Sequence, residues 1–177
     1  MTGDRIEYRP IGVVRSPFTE LAGMPIQPAA AEGAEGRVEL FEEYRDGLAD
    51  LDGFSHVILL VHFHRSEGYR LRVVPFLDTV SRGLFATRAP RRPNPIGLSV
   101  VRLDRIEDGV LHVRDIDVLD GTPLLDLKPH VPDFVPGEVV RIGWLEAARG
   151  NVSGRRSDGR FDRGTDDRLS PPGASCR

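Results

Sequence analysis

Hydrophobic residues along this chain alternate with polar ones in short bursts, at the spacing of strands more than of helices. The pattern begins with Ile11-Gly-Val-Val14, in a β-rich run over residues 6–18 that Ser16-Pro17 closes. Arg37-Val-Glu-Leu-Phe41 alternates with period two. Residues 56–64 are almost continuously apolar and β-branched, as in a central strand. Further strands are predicted over 70–74, 83–87, 98–106, 110–118 and 138–145. Glu107-Asp108-Gly109 stands between two of them as a hairpin signal. Helical spacing is clearest in residues 42–51, where Tyr44, Leu48 and Leu51 share a face and Asp52-Gly53 stops the run. So many short strands with one or two short helices predict a mainly β fold, a single closed or nearly closed β-barrel.

The pattern lapses after Ala148. From there to the end the chain is mostly Gly, Ser, Arg and Asp, and only Val152, Phe161 and Leu169 have apolar surface to give a core. Such a segment cannot bury enough to offset its ordering entropy, so the expectation is a folded unit over 1–148 and a disordered tail over 149–177. Charge follows the same division. The 177-residue chain carries −3 in all, and its tail has seven arginines against four aspartates, which leaves −6 for the folded unit. Nucleic-acid proteins usually show a broad basic footprint, and here a local patch or the tail would have to supply it. No apolar run approaches the roughly twenty residues of a membrane span, and the first residues lack an apolar signal region. The lone Cys176 allows neither an internal disulfide nor a cysteine zinc site, so the expected location is the cytoplasm.

Four clusters carry candidate chemistry. Gly83-Leu-Phe-Ala-Thr-Arg88-Ala-Pro-Arg91-Arg92-Pro93-Asn94-Pro95-Ile96-Gly97-Leu98-Ser99 is stiffened by three prolines. It can hold Arg88, Arg91, Arg92 and Asn94 in fixed directions, and arginine forks suit carboxylates and phosphates. The plain alternative is a rigid connector with solvated arginines. Asp115-Ile-Asp117-Val-Leu-Asp120-Gly121-Thr122-Pro123-Leu-Leu-Asp126-Leu-Lys128-Pro129 sets carboxylates, a tight turn and a lysine where they can surround a polar ligand; a hairpin with surface acids is its alternative. Its start mimics the glycine motif of Rossmann methyltransferases, but it has no second glycine and its prolines open no helix. On a strand, His56, His62 and His64 share a face. They could bind a metal with His112 or His130, or line a pocket through hydrogen bonds. No sequence-local carboxylate completes a metal triad, and the expectation is no metal. Finally, the small residues of Leu21-Ala-Gly-Met-Pro-Ile-Gln27-Pro28-Ala-Ala-Ala31 let a flat ring such as adenine approach the backbone, or form a plain surface loop.

Taken in order, Ile11-Gly-Val-Val-Arg-Ser-Pro-Phe18, Pro25-Ile-Gln-Pro28, Phe54-Ser-His56, Phe63-His64, Phe85-Ala-Thr-Arg88, Arg92-Pro-Asn-Pro-Ile-Gly97 and Asp120-Gly-Thr-Pro123 resemble the TrmO/TsaA-like family. The resemblance runs from about residue 6 to residue 145. It implies a β-barrel methyltransferase outside the Rossmann class, working as a homodimer. It further implies N6-methylation of threonylcarbamoyladenosine at position 37, beside the anticodon of tRNA, with S-adenosylmethionine as donor. Donor-contacting positions of the family fall here on Pro28, Ala29, Ala30, His64, Arg65, Arg88, Leu98, Ile116, Asp117, Val118 and Leu119. Bacterial members often carry an additional C-terminal domain, where this chain has its Arg-Gly-Asp-Ser tail.

On this reading Arg88 or Arg65 pairs the methionine carboxylate, and backbone near Pro28 and residues 116–119 holds adenine and ribose. The acceptor nitrogen is urea-like and weakly nucleophilic, so a base would help. Asp120 and Asp126 are the candidates, with Asn94 and Lys128 orienting the acceptor. Two other readings stay open: a metal-dependent barrel enzyme using the His62/His64 strand, and a module that binds S-adenosylmethionine without transferring its methyl group.

Overall fold

A computed structural model of the chain describes residues 5–26, 31–132, 142–148 and 156–158. Its strands are β1 (Gly12–Arg15), β2 (Glu35–Leu40), β3 (His56–His62), β4 (Arg72–Val73), β5 (Arg82–Gly83), β6 (Ile96–Glu107), β7 (Val110–Arg114) and β8 (Thr122–Pro129). Six of them close a barrel in the order β1-β2-β7-β6-β3-β8, while β4 and β5 form a separate two-stranded ribbon. Every neighbouring pair is antiparallel, and Gly12 facing Leu124 completes the ring.

Strict alternation fills the barrel. Val57, Leu59 and Val61 of β3 point inward while Ile58 and Leu60 between them are half-buried. Val14, Val38, Val101, Leu111 and Leu124 meet them from the other strands, each with no exposed surface. So narrow a barrel leaves room only for side chains, and its interior is a packed core. The predicted hairpin is present: Glu107 pairs with Val110, and Asp108 and Gly109 between them have φ 50° and 79°. Two left-handed residues give the turn whose twist matches the strands it joins.

Several elements differ from the sequence expectation, each for a local reason. Residues 42–51 form no α-helix but the 3₁₀ segment Glu42–Leu48, followed by a 3₁₀ turn at Leu51–Gly53. The run starts at Phe41 without a side-chain cap, contains Gly47, and breaks at Asp50 with φ 64°. The strand expected over 83–87 is only its first residue, because Leu84–Ala86 tighten into a 3₁₀ turn. The strand expected over 110–118 stops at Arg114, where Asp115 turns the chain at φ 63°. In the span 138–145, residues 138–141 lie outside the described residues, and the chain from Gly143 is the 3₁₀ segment Gly143–Ala148. Strand β8 is hidden in the sequence by its prolines and acids. Pro123 and Pro129 occupy its second and last positions, where ladder bonds begin and end. A bulge also resets its alternation, since Leu60 faces Asp126 but Val61 faces Leu124.

Most of the span read as a disordered tail, 149–177, lies outside the described residues. Within it, Arg156 forms an isolated antiparallel bridge with Pro25. Among the described residues no helix is long and apolar enough to cross a membrane.

Candidate functional site

A cavity of about 600 Å³ opens beside the barrel. Its floor is the β3 and β6 end of the barrel, including Val61, Gly97 and Ser99. One side is the long excursion between β3 and β6, residues 63–95, which contributes Phe63, His64, Arg65 and Arg88. The opposite side is the connection after β7, with Asp117, Val118 and Leu119.

The excursion is fixed by directed hydrogen bonds. Arg92 donates from one terminal nitrogen to the carbonyls of Thr87 at 3.0 Å, Ala89 at 3.4 Å and Leu84 at 3.5 Å. Its guanidinium also lies over the Phe85 ring, 5.6 Å from the centroid. Arg91 donates to the carbonyl of Glu67 at 3.0 Å, and Arg82 to Asp78 at 2.7 Å. Arg88 is different: it is exposed, and it has no hydrogen bond or ion pair to a described residue. The stiff loop thus commits two of its three arginines, Arg91 and Arg92, to its own structure and leaves Arg88 for a ligand.

Gly97 shows how tightly the floor is built. A methyl group there would sit 2.4 Å from the Phe63 ring, so only glycine lets that ring pack across β6. The Phe63 amide in turn donates to the carbonyl of Pro95 at 2.8 Å, tying the start of the excursion to its end.

The connection after β7 is pinned from two sides. Asp115 accepts the Gly33 amide at 2.8 Å, and fully buried Ile116 anchors the chain in the core. Ser16 donates its hydroxyl to the carbonyl of Val118 at 2.6 Å and its amide to Asp120 Oδ1 at 3.0 Å. The Asp120 amide then donates to the carbonyl of Phe18 at 2.7 Å. Held this way, the half-buried Asp117 accepts a short hydrogen bond from the Ser99 hydroxyl. Burial pushes its carboxyl above the usual carboxylate value, against the Ser99 bond and the charge of Arg88, which pull it down. Across the cavity His64 shifts below the usual histidine value, through desolvation first and then the charges of Arg65 and His62. A neutral His64 therefore leaves Arg65, Arg88 and Arg92 as the cations of the lining, and Arg92 is already committed to loop carbonyls.

Of the positions singled out in the sequence, His64, Arg65, Arg88, Leu98, Asp117, Val118 and Leu119 line this cavity. Ile116 lies beneath it in the core, and Pro28, Ala29 and Ala30 are outside the described residues. The structure does not bring Asp126 and Lys128 to the cavity. They pair with each other at 2.6 Å on β8, about 13 Å (Asp126) and about 20 Å (Lys128) further along the strand from the lining residue Thr122 at the rise of an extended chain. Asn94 is exposed on the loop, and its carbonyl accepts the Ile96 amide at 2.8 Å. Asp120 directly follows Leu119, with one carboxylate oxygen on Ser16.

The histidine face does not form as the strand period implied. Strand β3 ends at His62, and His64 lies beyond it in a turn closed by the Ser66 amide on the carbonyl of Phe63, 2.9 Å. His64 alone of the three reaches the cavity, while His56 meets His130 edge-on and the Ser55 hydroxyl at 2.9 Å. Among the described residues, no three His, Cys, Asp or Glu side chains gather as metal ligands would.

The sequence does not point to Trp144, and it shows Ser16 and Phe63 as parts of family motifs without a role of their own. Each acts through a partner distant along the chain, which local spacing cannot reveal. Ser99 stands in the sequence reading only as the end of the stiff loop, although its place two residues after Gly97 on a strand sets it on the same face.

The family described as the tRNA-methyltransferase O N-terminal domain matches residues 13–134. A probable S-adenosyl-L-methionine-binding protein of Pyrococcus abyssi is 54% identical over 154 residues, 87% of this chain and 84% of its own length. A mouse tRNA (adenine(37)-N6)-methyltransferase is 36% identical over 132 residues, covering 71% of this chain but 31% of the mouse protein. The crystal structure of TrmO from Pseudomonas aeruginosa superposes with a TM-score of 0.67 at 40% identity, over 80% of this chain and 63% of the crystallised one. The chain thus spans less than two thirds of that crystallised protein and less than a third of the mouse enzyme.

Proposed function

For a chain that belongs to the tRNA-methyltransferase O N-terminal domain family, we propose that it is a methyltransferase. In this reading it takes the methyl group of S-adenosylmethionine and places it on N6 of threonylcarbamoyladenosine at position 37 of tRNA. The observation that carries the proposal is a largely apolar cavity of small-molecule size in which a free arginine and a buried carboxyl face the same space.

The donor supplies an activated methyl on a sulfonium, together with a carboxylate and an ammonium at its amino-acid end. Arg88 suits the carboxylate, being a cation with no hydrogen bond or ion pair to a described residue, although its charge is felt by Asp117. Asp117 suits the positive side of the molecule, and its carboxylate, costly to ionise by itself, becomes favourable opposite a cation. A neutral His64 avoids adding repulsion. The apolar floor at Phe63, Gly97 and Leu98 excludes water and offers flat surface to an aromatic ring. Since the donor is activated, the protein's main task is to hold nucleophile, methyl and sulfur in line, and a stiff arginine-braced excursion suits that task. Asp120 is the proposed base for the acceptor proton, at the rim after Leu119, with one oxygen on Ser16 and the other available.

Arg88, Arg65 and Arg91 would give tRNA a basic patch on an otherwise acidic surface. The exposed Phe85, Tyr69 and Leu71 would suit the second copy that the family resemblance implies. The proposed setting is the cytoplasm, where tRNA is the available polyanion.

Labelled donor and total tRNA, followed by nucleoside mass analysis, test the reading. Label in threonylcarbamoyladenosine, with the mass of one added methyl group, is the expected result; unlabelled tRNA overturns it. The name of the Pyrococcus relative supports a second reading, a module that binds the donor without transferring the methyl. Calorimetric binding of the donor without any label transfer would favour that one.

A further inference from the structure

The family match ends at residue 134, yet the cavity wall does not. Trp144, Leu145 and Ser157 complete the lining from the chain beyond it. These residues touch both flanks of the cavity. On the excursion side, the Trp144 indole donates to the carbonyl of Ala86 at 2.8 Å. The Arg82 guanidinium, itself held by Asp78, lies 5.5 Å from the centre of the same indole. On the other side, Gly23 donates its amide to the carbonyl of Ser157 at 2.8 Å, and Ser157 donates its amide to the carbonyl of Met24 at 2.7 Å. Arg156 faces Pro25 in the same bridge.

The second pair of bonds answers a question the barrel leaves open. Residues 21–26 run beside the cavity as irregular chain, with Met24 buried and Leu21, Pro25 and Ile26 in the lining. Irregular backbone that has no ladder needs other partners for its polar groups, most of all where it is buried, as at Met24. Here the Gly23 amide and the Met24 carbonyl find theirs on Ser157, not on a barrel strand.

We infer that residues 142–148 and 156–158 are a wall of the donor cavity, and that the two-bond rung between Ser157 and residues 23–24 positions the loop against which the donor binds. The donor's identity rests on the function proposed above; the rung itself does not. Ser157 is a positioning residue acting through its backbone amide and carbonyl.

Ser157→Pro removes the amide that Met24 accepts, and the residue before it is already in an extended bridge, the conformation that a following proline requires. Ser157→Thr keeps both backbone bonds and the hydroxyl and serves as control. Two readouts are taken on the full chain. Amide hydrogen exchange reads the rung without any ligand: the Gly23 amide is protected in the parent and in Ser157→Thr, and exchanges faster in Ser157→Pro. Calorimetric titration with S-adenosylmethionine reads its use: Ser157→Pro binds roughly five- to tenfold more weakly, the loss of about one hydrogen bond, while Ser157→Thr matches the parent. Equal Gly23 exchange in the parent and Ser157→Pro overturns the rung. Faster exchange with unchanged donor affinity overturns its role in the site. A parent that binds no S-adenosylmethionine defeats the proposed function instead, and leaves the exchange result to decide whether the wall exists.

Discussion

The barrel and the 63–95 excursion are built by opposite means. In the barrel, position is fixed by apolar side chains that alternate into a closed interior, and Val57, Leu59, Val101 and Leu111 have no exposed surface at all. In the excursion, only Val73, Leu84 and Ala89 form a small buried cluster, and the chain is held by arginines that donate to named carbonyls. Apolar packing is collective and spreads a loss over many neighbours. A directed hydrogen bond belongs to one donor and one acceptor, and its loss moves one piece of chain. The first supplies stability and the second supplies aim.

The largest effect should fall on the barrel. Leu59→Ala leaves a void among fully buried neighbours and costs about 2–5 kcal/mol of stability in denaturant unfolding, with donor affinity of the folded protein unchanged. A large change in affinity would show that the two regions are not separable. The next effect is the mirror image. Arg88→Ala weakens S-adenosylmethionine binding by about 2–3 kcal/mol in calorimetry and leaves the unfolding midpoint where it was. Unaltered affinity would remove Arg88 from the donor site.

Arg92→Lys tests the joint between them. Lysine keeps the charge but loses the planar guanidinium that lies over the Phe85 ring while one of its nitrogens reaches the carbonyls of Leu84, Thr87 and Ala89. We expect about 1–2 kcal/mol lost in stability, together with weaker donor binding as the Arg88 loop loosens. Loss of stability alone would mean that the loop holds its aim without the clasp.

The smallest effect is on Asp117. Its proton is held more tightly folded than unfolded, so ionising it costs stability as the pH rises through the folded value. Asp117→Asn removes that cost and should melt about 1–2 °C higher at neutral pH, with the difference closing below the ordinary carboxylate range. Donor affinity should move the other way. In the parent it falls as acid protonates Asp117 and adds charge to His64; the variant binds more weakly wherever Asp117 is ionised in the parent, and keeps only the histidine part of the pH dependence. A variant that neither melts higher nor binds more weakly would take the carboxylate out of both roles.

The same contrast explains what the sequence could tell. The barrel was legible because period-two alternation and the Asp108-Gly109 turn are local signals, readable without knowing the partner strand. Strand β8 was not, because its bulge breaks the alternation and its prolines imitate a turn. At the site, the stiff loop announced its arginines, but not that Arg91 and Arg92 serve the loop while Arg88 is spared. That division depends on which carbonyls the fold brings near. Asp117 and Asp120 differ by three positions and look alike in the sequence, yet one faces the cavity beside Ser99 and the other is bound to Ser16. Asp126 and Lys128 were drawn to the site by composition and carried away by the strand's length.

Strand β3 has a further consequence, in the life of the chain before it folds. Its sequence, His-Val-Ile-Leu-Leu-Val-His, is the kind of uncharged, β-branched run that recruits identical copies into stacked sheets. In the finished barrel both of its edges are occupied, by β6 on one side and β8 on the other, so it has no free ladder to offer. One of those partners, β8, lies some sixty residues further along the chain, and a growing polypeptide must wait for it. The protection of this strand from self-association is therefore a property of closure, exposed to failure chiefly in the interval before the last strand arrives.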